Sequence, residues 1–297
     1  MSHRQVAWAP RPCELKDAVR SHGRGGHATS ILAATLLLLL MASSPARAFS
    51  PYELYLQSGE LTQVGLVATL RPGQEEALAA AMAKLEEHPV GAKLAERQIF
   101  SPRAFTRTIE GRPCVVIHFA MGGVHDASDY LGAAEMFEQA TESLGWQQIV
   151  EPHPRAKRYG RQWLQMEWIN YIRGVEAGEG GDDGEPTDVV MIGTTVIPEK
   201  EFQYRTLHQT TWPGVVDQAV RGNIRFLCIF LVELDDQLVE FLYLEYMGAD
   251  AAADDAANKA DPINQRWWKL TDECQRPFSD VTEGIWAPLK PVSAVDK

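Results

Sequence analysis

The sequence predicts an α+β fold made of two tandem ferredoxin-like units. The chain resembles itself at an offset of 126 residues, which carries Thr69 onto Thr195 and Pro72 onto Pro198. Both halves also show apolar runs and helical patterns in the same β-α-β-β-α-β order. These two observations predict that the halves share one topology.

The elements of the two halves can be assigned in pairs along the chain. Each half begins with an apolar, partly β-branched run that ends at a proline, as expected of a strand that leads into a helix. These first strands are residues 64–70 and 189–197. Helices follow, then strands around Phe100 and Phe226, and then second strands at 115–119 and 241–245. A further helix runs through Met136-Phe137 or Trp267-Trp268, and a tryptophan-bearing segment at 163–168 or 285–289 is expected to form the last strand.

A β-α-β-β-α-β unit carries its helices on one face of an antiparallel sheet and leaves the other face uncovered. Two units that pack sheet to sheet cover both faces, which predicts an intramolecular dimeric α+β barrel. Because both units lie on one chain, a second subunit is less needed. We expect a monomer or a weak homo-oligomer.

The domain boundaries follow from composition. Residues 1–48 are predicted to be a signal peptide. A basic leader precedes the apolar run 31–41, and Ala46-Arg47-Ala48 has the small-x-small pattern of a cleavage site. Residues 49–174 form the first unit, 175–188 an acidic, glycine-rich linker, and 189–297 the second unit. The predicted location is secreted or periplasmic. An uncleaved anchor and a plastid or thylakoid targeting segment remain alternatives.

The net charge and the cysteine spacing argue against several classes of partner and site. A formal charge of −12 and a pI near 5.2 oppose nucleic acid and anionic membranes as partners, so a small neutral ligand fits better. No membrane contact is expected after signal cleavage. Cys114, Cys228 and Cys274 lack the spacing of a disulfide framework or a zinc site, and we expect them to be buried.

Aromatic and imidazole side chains gather in the last third of the chain. Tyr204 and His208 are four residues apart in a helical stretch, so both project from one face. Trp212 and the pair Trp267-Trp268 add large flat rings. Such rings cover the apolar faces of a pyranose, and an imidazole can exchange protons with its oxygens. This combination indicates carbohydrate chemistry.

The same region, from about Val189 to Pro291, resembles the L-rhamnose mutarotase family. The segments that carry the resemblance are Tyr204-Arg205-Thr206-Leu207-His208, Trp212-Pro213, Asn223-Ile224-Arg225, Glu245-Tyr246-Met247-Gly248, Asp261-Pro262 and Gln265-Arg266-Trp267-Trp268-Lys269-Leu270-Thr271-Asp272. The resemblance implies that His208 transfers protons and that Tyr204, Trp267 and Trp268 hold the sugar.

This chain departs from the family at one binding position on the second strand. The family has a tyrosine there, whereas this chain has Leu227 with Phe226 beside it. The resemblance therefore implies that a hydroxyl is lost, and we expect Phe226 to contribute to substrate binding. The acidic ending of the family is also replaced, by residues 289–292.

Mutarotation places a proton on the ring oxygen and removes one from the anomeric hydroxyl, so that the ring opens and closes on the other face. An imidazole with an ordinary pKa near 6.5 can do both near neutral pH, without metal or cofactor. The predicted function is an exported aldose mutarotase-like isomerase acting on a 6-deoxyhexose such as rhamnose or fucose. The alternatives are a non-catalytic sugar-binding or scaffold protein, and another activity of this barrel architecture such as a monooxygenase.

The N-terminal half lacks the candidate site residues. At the same offset, Tyr204 falls on Leu78 and His208 on Met82, neither of which transfers protons. We therefore expect this half to be a degenerate copy that closes the barrel. Its residual candidate histidines have no ligand-like spacing with carboxylates: His88, His118 and His125.

Overall fold

The computed structural model describes residues 61–123, 130–173 and 186–292. The predicted signal peptide, most of the predicted linker and His125 lie outside the described residues. Within these ranges, no helix combines the length and the apolar character needed to cross a membrane.

The first half contains six strands and five α-helices within the described residues. They are β1 (Thr62–Leu70), α1 (Glu75–Ala83), α2 (Val90–Glu96), β2 (Ile99–Ile109), β3 (Arg112–Met121), α3 (Ala133–Ala140), α4 (Trp146–Ile149), β4 (Val150–Glu151), α5 (Pro154–Arg158), β5 (Leu164–Gln165) and β6 (Glu167–Arg173).

The second half has six strands and four α-helices in its described part. They are β7 (Asp188–Val196), α6 (Glu201–Gln209), α7 (Pro213–Arg221), β8 (Ile224–Leu234), β9 (Gln237–Tyr246), α8 (Ala251–Ala260), α9 (Pro262–Asp272), β10 (Gln275–Arg276), β11 (Ala287–Pro288) and β12 (Lys290–Pro291). Proline starts helices α7 and α9, where a missing N–H costs nothing, and the Asp261 carboxylate caps α9.

Two six-stranded antiparallel sheets are built in the same way. The first sheet has the order β12-β2-β3-β1-β4, and the second has β10-β7-β9-β8-β6; β5 and β11 also pair with β1 and β7. Each half thus contributes the ferredoxin-like order, β4-β1-β3-β2 or β10-β7-β9-β8. The predicted fold class is confirmed.

Each half also lends its last strand to the other sheet. Strand β6 pairs with β8, and β12 pairs with β2, where the Val292 N–H donates to the Ala104 carbonyl at 2.9 Å. This corrects the expectation that the tryptophan-bearing segments close their own sheets. They contribute only β5 and β11 there, and the chain then continues to the edge of the opposite sheet, which would otherwise expose unpaired backbone groups. We call β6 and β12 the exchanged strands.

The sheets face each other across an apolar layer, and the first sheet has a second core under its helices. Leu78 and Met82 are buried in this second core, with Phe137, Trp146 and Trp163. The rings of Trp146 and Trp163 meet edge to face at 5.3 Å. The three cysteines of the described region are free and buried, as expected.

A polar cluster lies between the two sheets. The His118 ring stacks on Tyr243 of the other sheet at 3.6 Å, and its Nε2 lies 3.0 Å from Oε1 of Gln63. Tyr243 donates to Glu245 at 2.6 Å. Burial, with the nearby Arg103 charge, lowers the pKa of His118 to about 3. His118 is therefore neutral in the folded protein at ordinary pH.

Candidate active site

A cavity of about 550 Å³ lies between the second sheet and helices α6 to α9. Its floor is the outward face of the sheet, from which seven side chains of β7, β8 and β9 project: Ile192, Ile224, Leu227, Ile229, Glu240, Leu242 and Leu244. This size and mostly apolar lining are typical of a small-molecule site. Among the described residues, no three His, Cys, Asp or Glu side chains are arranged to hold a metal ion.

Tyr204 and His208 project from helix α6 into this cavity, with ring centroids 4.2 Å apart. Nδ1 of His208 lies 3.0 Å from the carbonyl oxygen of Tyr204, one helical turn earlier. Because a carbonyl only accepts, this nitrogen carries the proton, and Nε2 keeps a lone pair. Burial lowers the pKa of His208 to about 4. The imidazole is thus a neutral base at neutral pH.

Tryptophan rings form the wall next to His208. Trp267 and Trp268 both line the cavity; the first is 5% exposed and the second 37%. The rings of Trp267 and His208 meet edge to face at 5.4 Å, and Trp212 packs against Trp267 from behind at 5.5 Å. Helix α9 therefore places both rings of the pair at the cavity. Trp286 also lines it.

A buried carboxyl lies beside Tyr204 and was not predicted from the sequence. The Tyr204 hydroxyl is hydrogen-bonded to Oε1 of Glu240, and Nε2 of Gln275 donates to Oε2 of Glu240 at 2.8 Å. Burial raises the pKa of Glu240 to about 7, and burial with the Glu240 charge raises that of Tyr204. The sequence signal is a carboxylate inside an apolar strand, which must find a partner when buried.

The first half supplies part of the cavity wall through the exchanged strand β6. Asn170 and Ile172 line the cavity, and Nδ2 of Asn170 donates to the His208 carbonyl at 2.6 Å and to Thr211 Oγ1 at 2.9 Å. Oδ1 of Asn170 is buried without a hydrogen-bond partner. Sequence reasoning missed Asn170 because it placed this segment in the first sheet. A buried acceptor with no partner points to a ligand that donates a hydrogen bond.

One predicted binding residue is misplaced by sequence reasoning. Phe226 packs between the two sheets, stacked on Tyr171, whereas Leu227 lines the cavity. A β-bulge between Ile224 and Phe226 shifts the alternation of strand β8, so that Ile224 and Leu227 share the cavity face. Phe226 is therefore a core residue.

Several solved structures are similar to this chain, with low sequence identity and TM-scores below 0.5. A candidate monooxygenase from Fusobacterium nucleatum is 10% identical with a TM-score of 0.47, over 78% of this chain and 93% of its own. An anthrone oxidase-like protein is 14% identical with a TM-score of 0.39, over 80% and 94%. A candidate monooxygenase from Lactobacillus acidophilus is 9% identical with a TM-score of 0.40, over 78% and 95%.

Sequence comparisons cover the half that contains the cavity. The family model for L-rhamnose mutarotase matches residues 190–294. A relative from Oceanobacillus iheyensis, described as L-rhamnose mutarotase, is 30% identical over 86 residues, which are 29% of this chain and 78% of the relative. Through its C-terminal half, the chain belongs to the L-rhamnose mutarotase family.

Proposed function

We propose that the protein is an exported aldose mutarotase-like isomerase that interconverts the anomers of a 6-deoxyhexose of the rhamnose or fucose type. The observation that carries this proposal is the neutral imidazole of His208, which shares a cavity with the Trp267-Trp268 pair. The rings can cover the apolar faces of a pyranose, and Nε2 can remove the proton of the anomeric hydroxyl.

The cavity floor supports the choice of a deoxy sugar. Leu227, Ile229 and Leu242 present only hydrocarbon. A C6 hydroxyl placed against them would be buried without a hydrogen-bond partner, whereas a C6 methyl group would gain from burial. The polar atoms of Asn170 and Gln275 at the edge of this floor suit the ring hydroxyls.

The proposal is tested by following anomer exchange with saturation-transfer NMR on the anomeric protons of rhamnose, fucose and related sugars. The wild type is expected to accelerate exchange. His208→Ala should remove this acceleration, since general acid–base assistance is typically worth about 10² to 10⁴ in rate. His88→Ala is the matched control, because His88 is exposed and is not one of the residues that line the cavity.

A second candidate function is a sugar-binding protein without catalysis. Leu227 favours it, because it lines the cavity at the position where the family has a tyrosine hydroxyl. Measurable sugar binding without acceleration of exchange would establish this alternative. Neither binding nor acceleration, with any of these sugars, would refute both functions.

A further inference from the structure

The imidazole of His208 can act as the base of the proposed reaction, but the reaction also needs an acid that protonates the ring oxygen. Ring opening needs a base at the anomeric hydroxyl and an acid at the ring oxygen. Nδ1 of His208 is held by the Tyr204 carbonyl, so only Nε2 faces the sugar. With burial holding the pKa of His208 near 4, the imidazole seldom carries the proton that an acid needs at neutral pH.

The cavity offers few other groups that could supply this proton. Asp255 and Lys259 pair with each other at 2.6 Å on the exposed rim, and Asp272 is exposed at the end of α9. Tyr204 and Glu240 instead lie at the buried floor, in contact with each other and next to His208.

The surroundings of Glu240 favour its protonated form. Within the sheet its neighbours in register are Thr194 and Leu231, helix α6 contributes Tyr204 and His208, and β10 contributes Gln275. All of these groups are neutral at pH 7. The neighbouring Cys274 is a buried thiol whose own pKa is raised by burial. No cation therefore compensates a carboxylate at this position among the described groups that face it.

We propose that Glu240 stores the second proton of the reaction and delivers it through the hydroxyl of Tyr204. This inference rests on the proposed mutarotase activity. When Glu240 is protonated, its O–H donates to the Tyr204 oxygen, and the proton of Tyr204 is directed to the sugar. The Gln275 amide donates to the other Glu240 oxygen and holds the carboxyl in place.

These groups would supply every proton transfer of ring opening. Tyr204 gives its proton to the ring oxygen as the C1–O5 bond breaks, and the bonding electron pair goes to O5. Glu240 replaces the lost tyrosine proton and becomes a carboxylate. Nε2 of His208 removes the proton of the anomeric hydroxyl, whose electrons form the C1=O bond. After rotation about C1–C2, every transfer reverses, and both residues recover their starting states.

The pH profile of anomer exchange tests this role. For the wild type we expect kcat to fall above pH about 7, where Glu240 loses its proton, and to fall below pH about 4, where His208 gains one. Glu240→Gln keeps a bond to Tyr204 but cannot transfer a proton. We expect its kcat to be lower by about 10²-fold or more, without the fall near pH 7, while the fall near pH 4 persists.

Glu245→Gln is the matched control, since Glu245 is a buried carboxylate of the same strand that bonds Tyr243 on the opposite face of the sheet. Its pH profile should follow the wild type. Circular dichroism and sugar binding by tryptophan fluorescence check that each variant is folded and occupied. If the Glu240→Gln enzyme is active and its kcat still falls near pH 7, the role of Glu240 is overturned while the proposed mutarotase function stands. No exchange by the wild type would refute the proposed function, and this role with it.

Discussion

Two buried groups should give the folding stability opposite responses to acid. Below pH 6.5 the unfolded chain protonates His118, whereas the folded protein, with a pKa of about 3 for this residue, does not. Stability therefore falls as the pH is lowered, by about 1.4 kcal/mol per pH unit for one proton. Glu240 has the opposite sign: the folded protein holds its proton below about pH 7 and the unfolded chain only below 4.5. Its contribution to stability rises as the pH falls.

Replacing each titrating group in turn tests these responses. Over the two pH units from 6.5 to 4.5, each group changes the free energy of unfolding by about 2.7 kcal/mol. His118→Gln can still donate to Gln63 but does not titrate, so it should lose about 1.4 kcal/mol per pH unit of acid sensitivity. Glu240→Gln should gain about 1.4 kcal/mol per pH unit of acid sensitivity, because the proton that Glu240 takes up in the folded protein no longer offsets the effect of His118.

Urea unfolding at a series of pH values, followed by tryptophan fluorescence and circular dichroism, measures these slopes. His88→Gln, a change at an exposed histidine, is the control and should follow the wild type. The variants are compared by the slope of the free energy of unfolding against pH. This slope does not depend on packing energy that a substitution removes at every pH, such as the stacking of His118 on Tyr243. A slope for His118→Gln equal to that of the wild type would show that His118 is not held neutral, and the argument from burial would fail.

Two further outcomes are expected. Asn170→Ala should raise KM by about 10-fold to 100-fold, because a buried hydrogen bond to the ligand is worth about 1 to 3 kcal/mol. Saturation transfer at several sugar concentrations measures KM. An unchanged KM would show that Asn170 does not bind the sugar. Protein recovered from the periplasm or medium should begin near Phe49 by N-terminal sequencing, whereas an intact leader on membrane-bound protein would favour the anchor.

The architecture was predictable because strand and helix periodicities recur at nearly the same spacing in both halves. The runs that became β1 and β7 are apolar, contain β-branched residues and end at a proline. Tyr204 and His208 were also predictable as neighbours, since a spacing of four residues determines a shared helix face. Such local signals do not depend on the rest of the fold.

The missed features depend on contacts between distant segments. Asn170 reaches the cavity only because β6 leaves its own half, and a hydrophobic pattern does not say which sheet a strand joins. Phe226 was expected at the cavity beside Leu227, but successive residues of a strand point to opposite faces of the sheet, so Phe226 lies in the core. Glu240 carried a signal of its own, but its partners Tyr204 and Gln275 are 36 and 35 residues away.

Residues 190–294, which match the family model, do not form a complete structural unit, because the exchanged strands β6 and β12 join each half to the sheet of the other. Asn170 and Ile172, which line the cavity, come from the N-terminal half, while the C-terminal strand β12 completes the first sheet. A gene fragment cut at the family boundary would encode the imidazole and the tryptophans without the wall behind them. It would also leave the edge of β8 open to pairing with other chains. The N-terminal half is thus a structural part of the cavity that lies on the C-terminal half.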